Sequence, residues 1–426
     1  MIYLGLEMGA QFSPRYVNIL FYRVWCIVGS LIILFFPSYL SWNTLKFWTV
    51  KDGFTMLFLV LMVYLISSLI IPKIIRFPRI EHYSIIFTFI TLFYLIIISI
   101  IAIGRFYYSR SFLLYAYILN LAWLIIASFI EKKRRLNLAL LPFSISDELL
   151  NIPNINWYIL DNPSEISNLY TLDGVVVSSQ ANLPPEWTRY TTNLLLKGIP
   201  IYNISEIYET VLGKIPISYF YEESIKGNYK SLATKFLKRL FDILLVIIIS
   251  PFVLILSIII AILIKLDSEG PILFKQTRIG EGGRTYKIIK FRTMHINAEA
   301  NGPRFASNDD PRVTRIGKIL RRFRLDELPQ FWNVLKGEMS LIGPRPEQEK
   351  FVEEFIQEIP FYNLRHLVKP GITGWAQIHQ GYAAGIEETK EKLEYDLYYI
   401  KNQSIWLDLV IAFKTIKVLL IKWGAR

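Results

Sequence analysis

Asp326 and Glu327 stand side by side in RLDELPQFWNVLKGEMSLIGPRPE (324 to 347), between an arginine-rich segment and a Gly-Pro-Arg-Pro loop. Two bare carboxylates repel a polyanionic substrate, but Arg315, Lys318, Arg321, Arg322 and Arg324 just upstream supply cations that would hold one. The combination suits chemistry on a phosphate, although a capped helix with surface ion pairs contains the same residue types. Asp326 is placed to cap a helix from about Glu327 to Lys336, with Pro329 in its first turn and Gly337 as its stop. Such a helix would aim unpaired N–H groups at the phosphate. Downstream, two prolines stiffen the backbone around Arg345, so that its guanidinium offers a fixed fork to a phosphate.

Alternation in TYKIIKFRTM reads as a strand bearing Lys287, Lys290 and Arg292, with Lys290 opposite Lys287 and Phe291. Only one set of these cations can face a pocket. Gly280, Gly282 and Gly283 join two strand-like runs and read as a hairpin turn rather than a phosphate loop. The histidines (82, 295, 366 and 379) lack metal-ligand spacing, and Asp309-Asp310 reads as a turn cap before Pro311.

The elements that must carry these groups are unusually apolar. The chain has 426 residues, 53% of them hydrophobic, and a net charge of +12. This excludes an ordinary soluble protein and favours anionic headgroups and nucleotides. No nucleic-acid-binding pattern accompanies the charge, so nucleic acid is not an expected partner. The single cysteine, Cys26, lies in an apolar run and excludes an internal disulfide. Apolar stretches near 17 to 36, 54 to 71, 83 to 103 and 112 to 130 each approach the ~20 residues of a membrane span. Lys73, Arg76 and Arg79 follow the second, and Lys132, Lys133, Arg134 and Arg135 the fourth, against Lys46, Lys51, Arg105 and Arg110 in the other loops. The positive-inside rule then puts the N-terminus and everything after residue 131 in the cytoplasm, and no cleavable signal peptide is expected.

From 136 the apolar runs shorten, and WYIL (157 to 160), GVVVSS (174 to 179) and IPIYNI (199 to 204) read as buried strands of a small α/β domain. The first of them runs into DNPSEI rather than a glycine-rich turn, which argues against dinucleotide binding. A longer apolar run, Ile243 to Ile264, could span a bilayer, yet Lys235, Lys238 and Arg239 flank one end and Lys265, Lys275 and Arg278 the other. Ser250-Pro251 near its middle suits a break into two arms, each too short to cross. The expected element is a re-entrant helix over 236–266. The C-terminal run 392 to 420 is amphipathic, with Leu407, Val410, Ile411, Ile416 and Leu419 on one side, and fits either a membrane-surface helix or a core helix.

Taken in order, KRLFDILLVIIISPF, GPILFKQTRIGEGGRTYKIIKFRTM, DDPRVTRIGKILRRFRLDELPQFWNVLKGEMSLIGPRPE and KPGITGWAQI make residues 230 to 426 resemble the bacterial sugar transferases, the polyprenyl-phosphate glycosylphosphotransferases. The whole chain resembles the large members of that family. The resemblance implies a membrane protein with α and α/β parts: a four-helix transmembrane bundle (1–135), a soluble Rossmann-like regulatory or homodimer-forming domain (136–229), and an α/β catalytic domain (230–426) anchored by the re-entrant helix. It implies an enzyme of the bacterial inner membrane with its catalytic domain on the cytoplasmic face, using a UDP-sugar and undecaprenyl phosphate to begin exopolysaccharide, capsule or O-antigen synthesis. In that scheme Asp326 is the nucleophile that carries an aspartyl phosphosugar, and Glu327 helps hold Mg2+. Lys290, Arg292, Arg321 and Arg345 bind phosphate. The competing readings are a membrane glycosyltransferase that releases UDP and a non-catalytic scaffold of polysaccharide assembly.

Overall fold

The structure is a computed structural model that describes residues 19–44, 53–75, 77–130, 135–144, 147–163, 172–178, 183–220, 232–296, 298, 310–380 and 385–421. The chain divides into two compact units, Met1–Gly213 and Lys214–Arg426.

The first unit opens with helices α1 (Ile19–Trp42), α2 (Gly53–Ile75), α3 (His82–Gly104) and α4 (Arg110–Ile130). α1 and α3 each pack against both α2 and α4. Val60, Tyr64, Ile86, Ile90 and Phe112 fill the interior, yet Ile27, Phe58, Leu69, Phe87 and Ile103 face outward. Helices apolar on every side belong in lipid, and these four are long and apolar enough to cross a membrane. Inside, Trp25 stacks on Trp123 with centroids 4.3 Å apart, and the Tyr64 hydroxyl donates to the Cys26 carbonyl at 3.2 Å. Of the loop charges used for orientation, Lys46, Lys51, Arg76, Lys132, Lys133 and Arg134 lie outside the described residues.

Four parallel strands follow, β1 (Leu136–Leu140), β2 (Ile155–Ile159), β3 (Gly174–Val177) and β4 (Ile201–Asn203), in the order β2-β1-β3-β4. The three expected strands are present, but β2 is an edge strand with Tyr158 and Ile159 exposed rather than buried. The strand that sequence reading lacked, β1, lies directly after the basic run and is central to the sheet, with Leu138, Ala139 and Leu140 fully buried. Helix α5 (Pro185–Leu196) lays Trp187 and Leu194 against Ala139 and Val175.

In the second unit, α6 (Leu232–Asp267) precedes an antiparallel hairpin, β5 (Leu273–Ile279) and β6 (Thr285–Phe291), closed through Gly282 and Gly283 at φ 67° and 75°. Those left-handed angles suit glycine. Then come α7 (Arg315–Arg322), α8 (Gln330–Lys336), β7 (Ser340–Ile342), α9 (Glu349–Glu358), β8 (Gly371–Thr373), α10 (Ile386–Asn402) and α11 (Ile405–Ile421), with β7 and β8 paired in parallel.

The break expected at Ser250 and Pro251 does not interrupt the helix. α6 is one element of 36 residues, with Ser250 Oγ donating to the Ile247 carbonyl at 2.8 Å. Proline removes one N–H and crowds the preceding turn, which bends a helix without having to end it. Near its start, Asp242 accepts from Ser340 Oγ at 2.8 Å and from the Leu341 N–H, Lys238 pairs with Asp408 at 2.6 Å, and Arg239 donates to the Val334 and Leu335 carbonyls of α8. Near its finish, Ile260 and Ile264 share a core with Phe291 and Leu320, and Asp267 accepts from the Ile316 N–H at 3.1 Å. Between them Ile248, Phe252, Leu254 and Ile255 are exposed. α11 is a core helix at its start: Leu407, Val410 and Ile411 are fully buried, and the helix packs on β7 and β8.

Candidate active site

Asp326 and Glu327 lie on a single 3-10 turn, Leu325–Glu327, rather than at the start of the expected helix. α8 begins only at Gln330, with Pro329 before it, and ends at Gly337 as read from the sequence, so Asp326 caps nothing. The cause is Arg324, a non-glycine residue at φ 53°, whose left-handed backbone ends the preceding turn and starts a new one. A non-glycine residue in that region costs about 1–3 kcal/mol and persists only where its surroundings impose it.

α7 reaches the site because Thr314 caps it, accepting from the Gly317 N–H at 3.0 Å. Gly317 lies so close to β6's continuation that an added Cβ would come 2.1 Å from the Thr293 carbonyl oxygen. Buried Asn333 of α8 ties to β6, accepting from the Ile289 N–H at 3.1 Å and donating to the Lys287 carbonyl at 2.8 Å. The strand's alternation then sends Lys290 toward the carboxylates while Lys287 stays exposed.

Glu327 is buried, and its Oε1 accepts from Arg345 Nη2 at 2.8 Å and from Lys290 Nζ at 3.3 Å. Asp326 is half-buried, and among the described residues no hydrogen bond ends on its carboxylate. The neighbours therefore separate the two acids. Burial alone would raise Glu327, but Arg345, Lys290 and Arg324 outweigh it and hold that carboxyl well below its ordinary range. Burial and the adjacent Glu327 charge push Asp326 upward, against Lys290, Arg345 and Arg321. The arrangement pairs an ionised carboxylate held by two cations with a more basic, half-buried one, a division that typically marks separate chemical roles. Arg345 is held charged chiefly by Glu327, yet 33% of its side chain is accessible, enough to meet a ligand.

Four of the expected residues, Asp326, Glu327, Lys290 and Arg345, form one cluster, and Arg321 acts on it through its charge while its Nε donates to Thr293 Oγ1 at 2.8 Å. Arg292 is not among them. Its Nη2 donates to the Ser268 carbonyl at 2.8 Å and its Nη1 to the Glu269 carbonyl, so the guanidinium caps the chain leaving α6. The alternation argument fails there because β6 ends at Phe291. Asp310 closes a turn as expected, accepting from the Arg312 N–H at 3.0 Å, and Asp309 lies outside the described residues. Arg324 was expected only as one of five upstream cations, not as the residue that sets the turn, and Asn333 was not among the predicted site residues. A positive φ at arginine has no sequence signature, and an asparagine in a helix reads as polar surface.

Two carboxylates among three cations, beside a long apolar helix, suit a membrane-associated enzyme acting on charged substrates. Residues 233–422 match the family described as bacterial sugar transferase. Over 403 residues, 94% of this chain and 95% of its counterpart, the chain is 40% identical to the UDP-N-acetylgalactosamine-undecaprenyl-phosphate N-acetylgalactosaminephosphotransferase of Aeromonas hydrophila. It is 40% identical over 225 residues to the UDP-glucose:undecaprenyl-phosphate glucose-1-phosphate transferase of Escherichia coli K12, covering 52% of this chain and 47% of that one. The UDP-galactose-lipid carrier transferase of Erwinia amylovora is 34% identical over 249 residues, 54% of this chain and 49% of that one. The chain belongs to the bacterial sugar transferase family.

Proposed function

We propose that this protein transfers a sugar 1-phosphate from a UDP-sugar to undecaprenyl phosphate, through a phosphosugar carried covalently on Asp326, as the first step of a surface polysaccharide. The observation that carries the reading is the split between the two acids: Glu327 is held by Arg345 and Lys290, while Asp326 is free to attack. An Asp326 oxygen attacks the phosphorus bonded to the sugar, the bond from that phosphorus to the UMP oxygen breaks, and UMP leaves. A lipid phosphate oxygen then attacks the same phosphorus and releases the carboxylate. Lys290 and Arg345 stabilise charge on the phosphoryl oxygens, and Arg321 screens the approach of an anion to Asp326.

Among the described residues no group of three or more metal-binding side chains forms a site by itself. Both bonds to Glu327 fall on Oε1, so Oε2 is the oxygen that would hold Mg2+ together with substrate diphosphate oxygens, which is how Mg2+ is commonly bound. When bound, the ion would offset charge on the departing UMP.

The re-entrant reading of α6 is supported by both its ends being tied to one compact unit. Val246 joins the core around Ile288, and Ile260 that around Phe291. A straight helix would separate Val246 from Ile260 by about 21 Å, whereas Ile288 and Phe291 stand only ~10 Å apart along a strand. The expected topology puts both ends and the site at the cytoplasmic face of the inner membrane, where the soluble donor meets the lipid phosphate. The parallel-sheet domain is assigned a regulatory or dimer-forming role.

Incubating purified protein with labelled UMP and a UDP-sugar, without lipid, should exchange label, and intact-mass spectra should reveal a phosphosugar adduct lost in Asp326→Asn. N-acetylgalactosamine is the first sugar to test, given the relative matched along its length. Absence of both exchange and adduct, or release of UDP in place of UMP, refutes the reading. In a Cys26→Ser background, Lys235→Cys and Lys275→Cys should be labelled from the same side of the membrane; opposite sides would defeat re-entry.

A further inference from the structure

Each of the four carbonyls from Pro344 to Glu347 in the loop that carries Arg345 accepts a hydrogen bond from elsewhere in the unit, two of them from β5. Pro344 O accepts from the Gly371 N–H at 2.9 Å, Arg345 O from Arg365 Nη2 at 2.8 Å, Pro346 O from Arg278 Nη1 at 3.0 Å, and Glu347 O from the Ile279 N–H at 3.2 Å. Two of these donors are guanidinium groups. Water serves a turn carbonyl at no such desolvation cost, so a charge buried for the purpose calls for a reason.

Arg365 is the more deeply buried of the two, with only 3% of its side chain accessible. Its Nη1 donates to the Tyr362 hydroxyl at 2.6 Å, and its Nη2 is shared between Arg345 O and Asp396 Oδ2, the latter at 3.0 Å. The guanidinium also lies over the Tyr362 ring, 5.1 Å from its centroid. Asp396 sits four residues along α10 from Lys392, which pairs with Glu347 at the far side of the same loop. Three bases, Arg278, Arg365 and Lys392, and two acids, Glu347 and Asp396, surround the loop, and because Arg365 reaches it through a backbone carbonyl its action on the site is through geometry.

What that geometry controls can be stated in backbone terms. Pro344 and Pro346 set their own φ angles, and Pro346 confines Arg345 to extended conformations. The peptide plane before Arg345 is held by Gly371 through Pro344 O, and the plane between Arg345 and Pro346 turns with ψ of Arg345. The Arg345 carbonyl belongs to that plane, and Arg365 holds it.

We infer that Arg365, itself held by Asp396 and Tyr362, is a positioning residue that aims Arg345 at the Asp326–Glu327 pair, an inference that rests on the transfer reaction proposed above. Reactive groups must be held to within about 0.5 Å, a tolerance that a four-torsion side chain meets only when its backbone is fixed.

The test is a double-mutant cycle on the full-length protein in lipid nanodiscs, following UDP-sugar consumption with undecaprenyl phosphate present. Arg365→Lys keeps the charge and loses the fork. It should lower kcat about 10- to 100-fold in the wild-type background, but by no more than about twofold when Arg345 is already alanine. The loss should fall on kcat and leave the KM for undecaprenyl phosphate unchanged, since Arg365 acts by aiming Arg345. Equal factors in both backgrounds, or a loss confined to KM, would overturn the inference. Should Arg365→Lys fail to fold, Tyr362→Phe, which removes only the acceptor hydroxyl, is read by the same two criteria and decides the matter. Consumption is measured without reference to a covalent intermediate, so absence of the Asp326 adduct and additivity of the cycle are separate failures.

Discussion

Replacing Arg345 by glutamine tests the electrostatic core of the mechanism. Burial and Glu327 push the Asp326 carboxyl upward, and Lys290, Arg345 and Arg321 pull it down without fully compensating. Attack requires the carboxylate, so kcat/KM should fall as pH drops through a pKa above the ordinary Asp value of about 3.9. A nearby cation favours the charged form of a carboxyl. Arg345 is one of three that lower Asp326, so its loss should move the acid limb upward. Glu327 also rises when Arg345 goes, but Lys290 and Arg324 continue to hold it ionised, so its repulsion of Asp326 persists. The stability signs oppose one another. Glu327, depressed in the fold, stabilises above its unfolded pKa and loses that contribution as pH falls through its folded pKa; Asp326, raised, contributes below its unfolded pKa and loses it as pH rises through the folded value. Well above the limb, loss of a phosphoryl-oxygen donor should still cost about 100- to 1,000-fold in kcat. Arg345→Lys is the control: charge is kept, so the limb should stay near the wild-type position while kcat falls. The assay is UMP release across a pH series in nanodiscs. A limb that moves downward, or the same limb in the glutamine and lysine variants, would refute the reasoning.

Other expectations follow from the same geometry. Asp326→Asn should abolish turnover and the covalent adduct while leaving membrane insertion intact, and near-wild-type activity would remove Asp326 from the mechanism. Arg292→Gln should lower the melting temperature while leaving the KM for UDP-sugar unchanged, because its guanidinium holds the carbonyls after α6; a raised KM with unchanged stability would return it to the phosphate site. Gly317→Ala should destabilise the catalytic unit by about 1–3 kcal/mol through overpacking against Thr293, measured by denaturant melting, and a neutral effect would mean that α7 is free to shift.

The membrane character of this chain was written in its composition. Helices of this length, apolar on every face, satisfy their backbone internally and have one suitable solvent, so α1 to α4 were legible, although α1 runs on to Trp42 and α2 to Ile75, beyond the expected 36 and 71. Strand alternation, a local rule, divided the cations of β6 between two faces, and the family resemblance picked out Lys290; the flanking prolines, with the same resemblance, pointed to Arg345. The local rules stopped at Arg292, where the strand ended and a carbonyl pair distant in sequence claimed the guanidinium. They stopped again at Arg324, whose left-handed backbone replaced an expected helix cap with a separate turn.

Adjacency of Asp326 and Glu327 is a fact of sequence, and by itself it makes the two acids equivalent. Their difference arises from residues brought in from afar, Lys290 on a hairpin and Arg345 on a braced loop, which pair with Glu327 and not with Asp326. Charge interactions depend on distance through space, and folding alone sets those distances. The same holds for α6: its apolar length was plain from the chain, but the tethering of both its ends to one compact unit became evident only in three dimensions.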